Sequence, residues 1–222
     1  MLTIEVPNYL IAQTINAVLE KHPIFDYNPG SFEKVIVDFR NMGFIRPTGL
    51  AFIVALMKYI KHAQISAKYF FRDSHHIDVI RHLEKMEFYE KFGLIRESQL
   101  TGKKVDIKNF CEVREVASSK DCQSVSMQLA HLIDSQVDIP KGMLDAVSHS
   151  LSEIIDNIFH HGDSPINGFV CAQTFPNMQE IEIAIVDCGM GIKESLKGNA
   201  RFEYLNSDTE SIALAVEKKS YQ

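Results

Sequence analysis

No two cysteines in this chain are spaced as Cys-x-x-Cys: Cys111, Cys122, Cys171 and Cys188 stand far apart. That spacing argues against a thiolate zinc site and a dithiol redox motif, and leaves reduced, buried thiols as the expectation. A long hydrophobic run is missing as well. The longest, Leu50–Met57, is far too short to cross a bilayer, and the N-terminus MLTIEVPNYL has neither a basic n-region nor a continuous apolar h-region. The chain therefore reads as cytoplasmic, with no membrane span. The second part also lacks positive charge: the first 100 residues carry 12 Lys+Arg and 11 Asp+Glu, the remainder 11 and 18. Nearly all of the net charge of −6 arises there, so no clustered basic surface is expected for nucleic acid.

What is present suits a globular protein. With 222 residues, 45% of them hydrophobic, the chain can bury one large core or two of ordinary size. Leu2–Val6 alternates as a short strand does, and Leu10, Ile11, Ile15, Val18 and Leu19 follow a helical period. Lys34–Phe39 (KVIVDF) is a β-branched run expected at the centre of a sheet. After the loop RNMGFIRPTGL, Pro47 suits the first turn of a helix over Thr48–His62. That helix is apolar on nearly every face, so it is expected to be buried against a sheet. Ala67–Phe71 reads as a further strand, and Ile77, Ile80, Leu83, Lys85 and Met86 as part of a helix ending near Glu87. Such βα alternation implies a mixed or parallel sheet with helices packed on it.

This order, with VIVDF, PTGL and VIRHLEKMEFYEKFGL, resembles the STAS fold of bacterial anti-sigma-factor antagonists and sulfate-transporter tails over roughly residues 1–97. In the antagonists a D-S-[ST]-G-L-like loop carries, just before its glycine, a hydroxyl residue that a partner kinase phosphorylates. Thr48 holds that place, so the resemblance implies a candidate phosphoacceptor there. Arg46 and Pro47 stand where the family usually has its Asp and first Ser, and an ordinary helix N-cap is the plainer role for Thr48. A phosphate at Thr48 would meet a helix N-terminus, with Arg46 beside it to pair.

Residues 99–110 are expected to link a first unit at 1–98 to a second at 111–222. Cys111–Val116 alternates as a strand, and Asp121–Ile133 carries Val125, Leu129, Leu132 and Ile133 at helical spacing. A second helix is expected from a start near Asp138 and Pro140 to His161, with Gly162 ending it. Its apolar stripe comprises Leu144, Val147, Leu151, Ile154, Ile155 and Ile158. Glu153 falls roughly opposite that stripe, while Asn157 and His161 turn toward one flank. The helix can thus pack on a sheet and still present a carboxylate, an amide and an imidazole at four-residue intervals.

Ile166–Thr174 and Glu180–Asp187 read as a hairpin, giving an α/β sandwich that looks independent of the first unit. Asp187, where the apolar strand runs into Cys-Gly-Met-Gly, is expected at the floor of a pocket. Gly189 and Gly191 are able to take positive φ and let a ligand approach the backbone. Singly, each residue has a plainer role: Glu153 and Asp156 can solvate a helix face, Asn157 can bond backbone, and Asp187 with its glycines can end a strand. A helical metal site from His149, Glu153 and His160 or His161 is a further alternative, short of another ligand.

Taken together, Glu153-x3-Asn157-x3-His161 and Asp187-x-Gly189-x-Gly191 resemble the N-box and first glycine box of the GHKL ATPase superfamily. The spacing is most similar to the anti-sigma-factor Ser/Thr kinases, and the resemblance covers about residues 112–192. It implies that Asn157 ligates Mg²⁺ between the phosphates of ATP and that Glu153 acts as general base. It further implies that Asp187 accepts from the adenine amino group, that Gly189 and Gly191 shape the nucleotide loop, and that His161 supports the helix end or the phosphate side. Such kinases act on STAS-type antagonists, so the two resemblances converge on one bacterial signalling system.

The expected fold class is α/β (α+β): a STAS-like sheet with helices, then a GHKL (Bergerat) sandwich. After Ile192 the chain holds no second glycine-rich box, G-x-G-x-x-[LM] in the superfamily, although Asp208–Lys219 resembles the helix that introduces it. The second unit is therefore expected to be incomplete at its C-terminus, with weakened ATP affinity. A free sheet edge would favour self-association or a poorly ordered C-terminus. The expected activity is Mg·ATP-dependent phosphorylation of a Ser or Thr on a STAS-type antagonist or sigma-factor-related regulator, Thr48 included. The alternatives are a nucleotide-responsive binding switch without kinase activity and an interaction scaffold.

Overall fold

The β-branched runs and the all-round apolar helix dictate where the layers form. The computed structural model describes residues 1–91, 110–137, 139–140 and 142–218. Its first part contains β1 (Leu2–Glu5), β2 (Tyr9–Leu10), α1 (Ala12–Lys21), β3 (Lys34–Asp38), β4 (Phe44–Ile45), α2 (Pro47–Ala63), β5 (Lys68–Arg72), α3 (Ile77–Lys85) and α4 (Phe88–Lys91). Strands β1, β3 and β5 form a parallel sheet with β3 in the middle, pairing Ile4 with Val37 and Val37 with Phe71. The KVIVDF run thus lies at the centre, as its continuous apolar pattern requires. Helix α3 ends at Lys85, close to the expected Glu87, whose φ of 56° turns the chain into α4.

The second part contains β6 (Phe110–Val116), α5 (Ser119–Asp134), α6 (Met143–His161), β7 (Gly168–Phe175), β8 (Glu180–Val186), α7 (Gly191–Lys197) and α8 (Asp208–Lys218). Strands β6, β7 and β8 form an antiparallel sheet with β7 central. The expected linker at 99–110 lies outside the described residues apart from Phe110, which opens β6. Asp138 and Lys219 lie outside them too. Helix α6 starts at Met143, after Gly142 with a φ of 88°. Among the described residues no helix is long and apolar enough to cross a membrane.

The two parts are not independent. Residues Leu50–Met57 of α2 are all buried, which no helix with one covered face could achieve. One side of α2 packs on Ile4, Val35 and Val37 of the parallel sheet. Its core also takes in Val113, Phe169, Cys171 and Ala184 of the antiparallel sheet. Cys111, Val170 and Ala172 face the other way, onto Val125, Leu129, Ile155 and Ile158 of α5 and α6. Consequently β7 is covered on both faces, and α2 is shared between the sheets. Each large apolar side chain so buried contributes about 1.5–3 kcal/mol.

Polar contacts frame this interface. Thr48 donates both its N–H (3.0 Å) and its hydroxyl (2.6 Å) to Glu182 Oε1. The Arg46 guanidinium donates to Glu180 at 2.7 Å and lies over the Phe175 ring at 4.3 Å. Its Nε sits 2.6 Å from Glu182 Oε2 but off the line of a good hydrogen bond, so that contact is chiefly ionic. Farther along, Lys58 reaches Glu115 at 3.1 Å. The N-cap of α2 is Arg46, with Pro47 at the first helical position, so Thr48 is not the cap. A carboxylate from β8 satisfies the free N–H at that helix end instead.

Candidate functional site

Helix α6 buries Ile155 and Ile158 against the sheet, with Leu144, Val147 and Leu151 half-buried along the same stripe. Ile154, expected in that stripe, is 52% exposed, because α5 and the sheet cover a narrower arc than the apolar residues span. Glu153 and Asn157 face outward. The Glu153 carboxylate comes no closer than 3.9 Å to His149 Nδ1. Asn157 has no side-chain hydrogen bond among the described residues. Position 161 ends the helix, and the His161 side chain lies outside what the structure describes.

The end of α6 and the DCGMG loop touch directly. Met190 donates its N–H to the Gly162 carbonyl at 2.7 Å, and Cys188 donates its N–H to Ser164 Oγ at 3.4 Å. Asp187 Oδ1 accepts the Gly189 N–H at 2.7 Å, which folds the loop back on its own strand and leaves Oδ2 without a partner among the described residues. The carboxylate is exposed rather than sunk in a pocket floor, since β8 ends at Val186 and the loop emerges at the sheet margin. Burial and the neighbouring Asp187 push the Cys188 thiol up to about 12, so it stays protonated and inert.

The two glycines serve different ends. Gly191 has a φ of 76° with open space where a Cβ would stand, and it begins α7. Gly189 is outside the positive-φ region, contrary to expectation. Its need is closeness: a Cβ there would collide with the Gly162 carbonyl and stand 2.7 Å from Asp187 Oδ1. Gly162 is not left-handed either, with a φ of −76°; Asp163 takes the positive value, 44°. Gly162 therefore acts as an acceptor platform for the loop as well as a helix end.

The helical metal alternative is described only in part, since it includes His161. His160 is paired with Asp156 at 2.9 Å, and the described residues hold no group of three His, Cys, Asp or Glu suited to a metal ion. A cleft of about 450 Å³ opens between α5 and α6, lined by Ser119, Ser126, Asp145, Ser148, His149 and Asp156 among others. It includes none of Glu153, Asn157 or Asp187. This cleft lies away from the two motifs, whereas the backbone bond from Met190 to Gly162 holds the end of one against the loop of the other.

Sequence reasoning overlooked α7, the Ser164 hydroxyl and the Gly162 carbonyl. Ser164 was legible as a short hydroxyl residue in the turn after the helix. The carbonyl carried no side-chain signal. Comparison with protein-family models, with curated proteins and with solved structures finds no match for this chain.

Proposed function

We propose that the second unit binds Mg·ATP between the outer flank of α6 and the DCGMG loop, as its GHKL resemblance implies, and that the protein is a signalling regulator. The observation that carries this reading is the 2.7 Å bond from Met190 to Gly162, which holds the loop against the end of the Glu153/Asn157 helix. It sets Gly162, at the end of the first motif, against the loop of the second, which supports a ligand shared by the two. The residues also fit the cofactor. Asn157 offers a neutral amide oxygen, a ligand type suited to a hard cation, with no hydrogen-bond partner among the described residues, and Asp187 has one oxygen likewise without a partner among them for an amino donor such as that of adenine. When bound, Mg·ATP would supply the phosphoryl group, and Glu153 would take the proton of an acceptor hydroxyl.

The acceptor in this proposal is a Ser or Thr on a STAS-type partner in trans. Thr48 of the same chain is engaged with Glu182, so phosphorylating it in cis would require α2 and β8 to separate. That engagement also favours a second reading, a nucleotide-responsive switch that transfers no phosphate. Incubation with γ-labelled ATP and a STAS-type antagonist separates them. The kinase reading expects labelled antagonist with the native chain and none with Glu153→Ala. Nucleotide binding without any label establishes the switch, and labelling that survives Glu153→Ala removes Glu153 from the chemistry.

A further inference from the structure

Strand β8 touches both the first unit and the candidate nucleotide loop. We propose that the first unit positions the Asp187 loop through α2, with Arg46 as the positioning residue; this rests on the nucleotide reading above. At the start of β8, Glu182 receives the Thr48 N–H and hydroxyl and the Arg46 charge, while Glu180 receives a second Arg46 donor. The Arg46 and Glu182 side chains are only 19% and 17% exposed, so water screens their attraction weakly. At the other end, Val186 and Cys188, on either side of Asp187, pack against the core that contains α2.

Between these ends β8 is tied to β7 through seven consecutive register pairs with no bulge, so the strand shifts as a rod. The loop is therefore held from two directions. The turn that follows α6 grips it through Gly162 and Ser164, and the first unit grips it through the core beside Asp187 and the ionic clasp at the far end of the strand. Loosening the clasp removes the hold from the α2 side of β8 while Ile183 and Ile185 still pack against the α5 and α6 core, so the strand tilts and takes Asp187 away from its present setting beside the helix end. A site split between α6 and β8 then loses its geometry without any residue of the site being changed. The first unit thus becomes part of the site's architecture rather than a tethered neighbour.

The test combines hydrogen exchange with calorimetry on the full chain, using Arg46→Ala, Arg46→Lys and Glu182→Gln. Arg46→Ala and Glu182→Gln are expected to speed exchange at residues 186–190 at least fivefold while leaving α5 unchanged, and to weaken Mg·ADP binding at least threefold. Arg46→Lys, which keeps the charge, is expected to recover part of both effects. Unchanged exchange at 186–190 in both disrupting variants overturns the inference. If the native chain binds Mg·ADP and Arg46→Ala binds it equally well, the inference falls while the nucleotide reading stands. If the native chain binds no nucleotide, that reading falls, and the exchange data alone decide whether α2 holds the loop.

Discussion

Replacing Gly189 by alanine adds one methyl group at the point where the loop meets α6. Because the backbone of Gly189 lies outside the positive-φ region, alanine meets no conformational penalty there, and the cost comes from contact alone. The new Cβ would overlap the Gly162 carbonyl and crowd Asp187 Oδ1, both on the loop's inner side. The loop must retreat, stretching the Met190 to Gly162 bond and the Gly189 to Asp187 bond, each 2.7 Å. A neutral hydrogen bond contributes about 1 kcal/mol and one to a charged group somewhat more, so losing both costs about 2 kcal/mol. Detachment caps the penalty near that value, since a displaced surface loop feels no further overlap. Gly191→Ala is the control: with open space around it, only its φ of 76° is penalised, at about 1 kcal/mol. Urea unfolding followed by circular dichroism should rank native above Gly191→Ala above Gly189→Ala. An unchanged midpoint for Gly189→Ala, or the reverse ranking, refutes the claim that the loop rests on Gly162.

Two further outcomes test the fold. Burial, assisted by Lys85, depresses His82 from 6.5 to about 4. The unfolded chain then binds the proton more readily between those values, so stability is fully present above pH 6.5 and falls as pH drops toward 4, by roughly 3 kcal/mol in all. Paired urea titrations at pH 7 and pH 4.5 should show this, with the difference much reduced in His82→Leu; an equal difference in the variant assigns the loss elsewhere. Gly49→Ala should destabilise the chain by about 2 kcal/mol or more, because its Cβ would strike the Leu10 carbonyl where α2 crosses the backbone of β2. A melting temperature within one degree of native would contradict that close approach.

What could be read in the sequence was local. The β-branched KVIVDF run and the all-round apolar helix after Pro47 each admit few environments, so the central strand and the buried helix were legible. The four-residue spacing of Glu153 and Asn157 is a property of one helix and needed no partner to be seen. The partnership of α2 with a second sheet was hidden, since Arg46 and Glu180 lie 134 residues apart and neither carries a sign of the other. The apolar stripe of α6 was read too wide at Ile154, because periodicity gives the face but not the breadth of what covers it. Helix α7 escaped notice as well, being only seven residues long and opening on a glycine. The differing needs of Gly189 and Gly191 are equally invisible in a DxGxG string, where contact and conformation demand the same residue.

Calorimetric titration of the native chain and Asp187→Ala with Mg·ADP and Mg·GDP goes straight to the central claim. The carboxylate at Asp187 is assigned to an amino donor that adenine has and guanine lacks at the corresponding ring position. The account expects Mg·ADP binding to the native chain, at least a tenfold loss in Asp187→Ala, and no comparable binding of Mg·GDP, in keeping with about 1.5–3 kcal/mol for a hydrogen bond to a charged group. Equal affinity for the two nucleotides, full affinity in Asp187→Ala, or no binding by the native chain would contradict it.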